Sequence, residues 1–176
     1  MEAVLNFNAY PKQIEFFKAK ERYVAYGGAR AGGKSWAARK KAELLAMRYS
    51  GIQILLLRRS MPELRENHLL PLQKELKGIA KYKEMDKAFL FPNGSRIKLG
   101  YCDAESDVLQ YQGQAYEVIF MEEATHFTEF QFKALMECNR SNGQMTEPFQ
   151  PRMYFTCNPG GVGHGWVKRL FIDRDY

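Results

Sequence analysis

At 176 residues the chain is long enough to bury a real core and too short for two full catalytic domains. A composition that is 45% apolar and 26% charged excludes a disordered chain, and no apolar run approaches the roughly 20 residues that span a bilayer. The net charge of +6 is uneven: residues 1–50 hold ten Lys/Arg against four Glu, and residues 51–176 hold sixteen of each sign. That basic surplus suits phosphate ligands, either nucleotide or nucleic-acid backbone, or a solvated helix face. Cys102, Cys138 and Cys157 are odd in number and widely spaced, so neither a disulfide framework nor a zinc ribbon is expected, and the compartment reads as reducing cytoplasm. The N-terminus lacks the basic-then-apolar pattern of an export signal, so neither secretion nor membrane insertion is expected.

In chain order, Tyr23–Tyr26 is a short β-prone run, Gly27–Gly33 a glycine loop, and Lys34 to about Tyr49 a long helix. Ile52–Leu57 has the length and branched content of a buried parallel strand, and Met61–Gly78 reads as one helix with Pro62 in its first turn. This βαβα order predicts a parallel sheet covered by helices. Ala88–Phe91 and Arg96–Tyr101 flank Pro92-Asn93-Gly94, a hairpin signal within an antiparallel ribbon at about 82–101. Glu117–Met121 and Arg152–Cys157 are two further strands, with a helix over Thr128–Asn139 capped by Thr128 between them and a polar loop over Ser141–Pro151.

Gly28-Ala29-Arg30-Ala31-Gly32-Gly33-Lys34-Ser35 fits GxxxxGK[ST] in full, after a strand and at the start of a helix, and Trp36 follows directly. Glycines let the backbone N–H groups curl inward at phosphate oxygens, and the helix N-terminus adds partial positive charge. Lys34 then reaches the β- and γ-phosphates of ATP, and Ser35 offers a hydroxyl to Mg²⁺. Arg30 has two open roles: a cis arginine finger over the γ-phosphate, or a residue facing solvent or DNA phosphate.

Val118-Ile119-Phe120-Met121 leads into Glu122-Glu123, an apolar strand running into acids in the Walker B manner. Adjacent strand residues point to opposite sides, so the acids divide the work: Glu122 for the metal and Glu123 for the attacking water. Glu122 departs from the usual pattern, because Asp commonly fills the metal-side position and Glu is one methylene longer. His68, His126 and His164 share no metal-ligand spacing and read as structural or surface residues.

Together the P-loop, Val118–Ala124 and Phe155-Thr156-Cys157-Asn158-Pro159-Gly160-Gly161 resemble the ATPase domain of the large terminase subunit of tailed bacteriophages and related prophages, over nearly the whole chain. Met121-Glu122-Glu123-Ala124-Thr125-His126-Phe127 looks like the family's acidic motif, and Thr156-Cys157-Asn158-Pro159 like its coupling motif. The resemblance implies an α/β fold of the P-loop NTPase, RecA-like (ASCE) kind, with 1–176 as a single ATPase domain, the N-terminal part of a longer chain without the family's nuclease. It implies that Thr156 and Asn158 sense the γ-phosphate. Tyr10-Pro11-Lys12-Gln13 resembles the adenine-recognition segment, Gln13 bonding the base and Tyr10 stacking on it, with a plain N-terminal turn as the alternative. Arg58 and Arg59, after the second strand, either touch nucleotide or a neighbouring subunit or form surface ion pairs.

The expected function is Mg²⁺-dependent ATP hydrolysis that powers movement of double-stranded viral DNA into a procapsid, in the cytoplasm of the bacterial host. By resemblance the partners are a portal protein, the small terminase subunit and further copies of the chain in a ring, with no membrane. The alternatives are a helicase-like DNA translocase and a module that binds ATP for assembly without hydrolysing it. A small-molecule kinase is disfavoured by the lack of an Arg-rich lid.

Overall fold

The structure, a computed structural model, describes residues 8–28 and 33–174. Among them seven strands, β1 (Tyr23–Gly27), β2 (Gln53–Arg58), β3 (Lys81–Lys83), β4 (Ala88–Leu90), β5 (Arg96–Tyr101), β6 (Val118–Met121) and β7 (Arg152–Cys157), form one sheet in the order β1-β7-β6-β2-β5-β4-β3. Neighbours from β1 through β5 run parallel, while β4 and β3 continue the sheet antiparallel. The hairpin expected at 82–101 is therefore present, and its strand β5 joins the main sheet beside β2.

Helices α1 (Pro11–Lys18), α2 (Lys34–Arg48), α3 (Met61–Leu64), α4 (Leu70–Glu75), α5 (Glu129–Cys138) and α6 (His164–Lys168) cover the sheet. The central strands read as unbroken apolar runs because both of their faces are buried. Ile54, Leu56, Val118, Phe120 and Tyr154 belong to one core, under α2, whose Ala37, Ala38, Ala42 and Ala46 permit a close approach. Leu55, Leu57, Ile119, Met121, Met153 and Phe155 belong to a second core, with Phe132 and Leu135 of α5 and Trp166 of α6. The cap of α5 is the one the sequence suggests: Thr128 Oγ1 accepts from Gln131 N at 3.2 Å, and Gln131 Oε1 accepts from Thr128 N at 3.0 Å.

The helix expected over Met61–Gly78 is present from Met61 to Glu75 without a gap, with a π-turn at Arg65–Leu69 joining α3 to α4. Pro71 has no N–H to give to the carbonyl four residues back, that of Asn67. Arg39 Nη1 from α2 donates to that carbonyl instead, at 2.7 Å, so the freed carbonyl is satisfied from a neighbouring helix.

Gly100 in β5 is a packing requirement. A Cβ there would press on the Tyr111 hydroxyl and lie 2.8 Å from Leu57 Cδ2. Gly100→Ala is therefore expected to destabilise the fold by about 1–3 kcal/mol, seen as a lowered Tm in thermal denaturation.

Candidate active site

The carboxyl ends of β1, β7, β6 and β2 lie side by side, the place where open parallel sheets hold ligands. From β1 the chain passes through Gly28 to Gly33, which starts α2 with a left-handed backbone at φ 70°. The motif positions Ala29, Arg30, Ala31 and Gly32 lie outside the described residues. Lys34 is buried, and its Nζ donates to Gly28 O at 2.9 Å and to Asn158 Oδ1 at 2.8 Å.

Asn158, just past β7, turns its other amide end to the acid beyond β6: Nδ2 lies 3.2 Å from both Glu123 carboxylate oxygens. Thr156 Oγ1 accepts from Glu123 N at 3.1 Å. Glu123 has φ 55°, a left-handed conformation unusual for a residue with a side chain. The two polar groups of the expected coupling motif thus hold Glu123 by its backbone and its carboxylate.

Glu122 points the other way, for a reason set by register. Leu56 pairs with Phe120 and Leu57 with Met121, so one step further along the parallel pair Arg58 falls beside Glu122, on the face covered by α2. Arg58 Nη1 is 3.2 Å from Glu122 Oε2 and donates to Ser35 Oγ at 3.4 Å. His68, from the π-turn, meets the same carboxylate oxygen through Nε2. The Glu122 side chain is only 1% exposed; burial pushes its carboxyl up, while Arg58 and the Ser35 hydroxyl pull it back.

Lys34, Ser35, Trp36, Arg58, Glu123, Asn158 and the loop to Gly161 line a cleft of about 760 Å³, a size suited to a small-molecule ligand, and Glu122 lies buried behind Arg58 and Ser35. The loop folds tightly: Thr125 Oγ1 donates to Asn158 O at 3.1 Å, Gly163 N donates to Thr125 O at 2.7 Å, and a Cβ at Gly161 would lie 2.6 Å from that Thr125 carbonyl. The donor chemistry fits a small hard cation, with a hydroxyl from Ser35 beside a carboxylate from Glu122 whose two oxygens are both buried without a hydrogen-bond partner among the described residues.

The structure separates the other expected residues. Arg58 reaches the site, whereas Arg59 turns away and donates to Cys102 O at 2.8 Å. Gln13 is buried with both amide ends engaged, accepting from Tyr10 N at 2.8 Å and donating to Gly33 O at 3.2 Å. In this structure it ties α1 to the end of the P-loop, and Tyr10 stands 75% exposed beside it. Of the histidines, His164 is on the surface as expected and His126 lines the cleft. His68 is fully buried against Glu122, a placement with no sequence signal.

The basic surplus is also redistributed. Arg39, Lys40 and Lys41 on α2 are buried, not arrayed on a solvated face. Arg39 pairs with Glu75 at 3.2 Å, Lys40 with Glu43 at 2.9 Å, and Lys41 Nζ donates to Ala19 O at 3.1 Å and to Phe17 O. Burial, then the neighbouring Glu75, pushes the Glu43 carboxyl up. Arg39, Lys40 and Lys41 therefore hold the core together, and the exposed cations on α2 and nearby among the described residues include Lys12, Lys18, Lys20 and Arg48.

The strand order, the lysine at a helix start and the acid at the neighbouring strand end define a P-loop NTPase of the RecA-like kind. The family model of the phage terminase large subunit matches residues 20–176, and the chain belongs to that family. No curated protein sequence matches it significantly. Among solved structures it is similar to the large terminase of a thermophilic bacteriophage, with a TM-score of 0.73 and 21% identity over 93% of this chain and 42% of that one. The HK97 bacteriophage large terminase gives a TM-score of 0.68 and 13% identity over 96% and 38%. The N-terminal domain of the DNA packaging ATPase from bacteriophage phi29 gives 0.60 and 16% over 94% and 85%. The chain thus spans about two fifths of the length of the first two of these proteins. Among the described residues no helix is long and apolar enough to cross a membrane.

Proposed function

We propose that this chain is a single ATPase domain that hydrolyses ATP with Mg²⁺, and that the hydrolysis drives double-stranded viral DNA into a procapsid. The observation that carries the reading is the hydrogen-bonded line Lys34–Asn158–Glu123. It joins the lysine of the phosphate loop to the acid on the water side through the end of β7. The large terminase of the thermophilic bacteriophage has been solved in complex with ATP-gamma-S and with ADP, which supports a nucleotide in the corresponding cleft here.

Lys34 would bind the β- and γ-phosphate oxygens, and doing so draws its ammonium from Asn158. Ser35 and Glu122 would hold Mg²⁺, which when bound offsets the charge that develops on the phosphate oxygens. Glu123 orients and polarises the attacking water, and its fixed backbone keeps the carboxylate where the γ-phosphate ends. Asn158 changes partners between Lys34, phosphate and Glu123 as the γ-phosphate is lost, and the β7 end passes that change to the loop from Pro159 to Gly163. Arg30 keeps the two roles the sequence leaves open, a cis finger over the γ-phosphate or a residue facing solvent or DNA phosphate.

Portal protein, small terminase subunit and a ring of further copies are the partners this role requires, and the host cytoplasm is its place. Phosphate release should rise when duplex DNA is added to the chain with Mg²⁺ and ATP. Stimulation by single strands in preference to duplex would instead favour a helicase-like translocase.

A further inference from the structure

His68 is carried by the π-turn at Arg65–Leu69, an irregularity that often marks a functional position in a helix. Its imidazole is fully buried, its Nε2 touches Glu122 Oε2, and neither ring nitrogen has a hydrogen-bond partner among the described residues. A buried polar ring is costly unless it is used. From β2, Arg58 meets the same carboxylate oxygen at 3.2 Å. Glu122 is one methylene longer than the aspartate that commonly stands on the metal side, and that extra length carries its carboxylate to the π-turn.

We propose that His68 is a positioning residue for Glu122. With Arg58 it fixes Oε2 of the longer side chain, and this leaves Oε1 for the cation beside Ser35. The groups that support metal ligands in this way orient them and raise affinity without touching the ion. The inference rests on the reading of Ser35 and Glu122 as the metal pair.

The test titrates Mn²⁺ into the whole chain bound to ADP and reads free ion by electron paramagnetic resonance. His68→Ala should weaken Mn²⁺ binding roughly tenfold or more. His68→Gln, whose amide N–H reaches a similar point, should recover most of the loss. In a Glu122→Asp background the shorter carboxylate no longer meets the ring, so His68→Ala should change Mn²⁺ affinity by less than about twofold. A merely structural histidine would cost the same in both backgrounds, and that result, or an unchanged affinity in His68→Ala, overturns the proposal. Should His68→Ala fail to fold, His68→Leu, which keeps the bulk and removes the ring nitrogens, is compared with and without Glu122→Asp, and a loss of equal size in both overturns it. A parent chain that holds ADP but no Mn²⁺ would contradict the metal-pair reading and this inference together; a parent that binds Mn²⁺ with a silent His68→Ala contradicts the inference alone.

Discussion

Glu123→Gln should bind ATP with an affinity within a few-fold of the parent and lose turnover by about 10²–10⁴-fold. The substitution keeps the size of the side chain, an oxygen to accept from Asn158 Nδ2, and the backbone bond to Thr156 Oγ1 at 3.1 Å. It removes the negative charge that polarises the water. Because the left-handed backbone at φ 55° is inherited from the surrounding hydrogen bonds, the fold has no reason to change. Binding by a fluorescent ATP analogue and phosphate release, measured on the same preparation, separate the two effects. Normal turnover would show that Glu123 is not the water-side acid.

Lys34→Ala acts one step earlier. The buried ammonium holds Gly28 O and Asn158 Oδ1 at 2.9 and 2.8 Å and is the cation placed to meet phosphate. Hydrogen bonds to charged groups contribute about 1.5–3 kcal/mol each, so losing two to phosphate oxygens should weaken ATP binding on the order of 10²-fold or more. Equilibrium titration with the ATP analogue checks this, with a circular-dichroism melt to confirm folding. Unimpaired binding would place the phosphates elsewhere.

The strands were legible in the sequence where both faces are buried, because Ile52–Leu57 and Val118–Met121 then become unbroken apolar runs. The phosphate loop was legible because its chemistry is local. The contacts that assemble the site were not: Lys34 and Asn158 lie 124 residues apart, and their meeting depends on β7 inserting between β1 and β6. Arg58 and Glu122 each stand at the end of an apolar run, yet only the β2–β6 register makes them neighbours. The π-turn in the helix after Met61 did have a signal, Pro71 inside the helical pattern, but nothing local says that this turn delivers His68 to Glu122. The basic surplus suits either a phosphate-binding or a solvated face in sequence, and nothing local shows that Arg39 is instead buried against Glu75 of a different helix.

Hydrolysis of ATP in this cleft is measured by phosphate release across a series of protein concentrations, with Mg²⁺ and with the metal chelated. Release should require Mg²⁺, vanish in Glu123→Gln and increase with duplex DNA. Tight ATP binding with no release at any protein concentration, with or without Mg²⁺ and duplex, would contradict hydrolysis and leave a module that binds ATP for assembly.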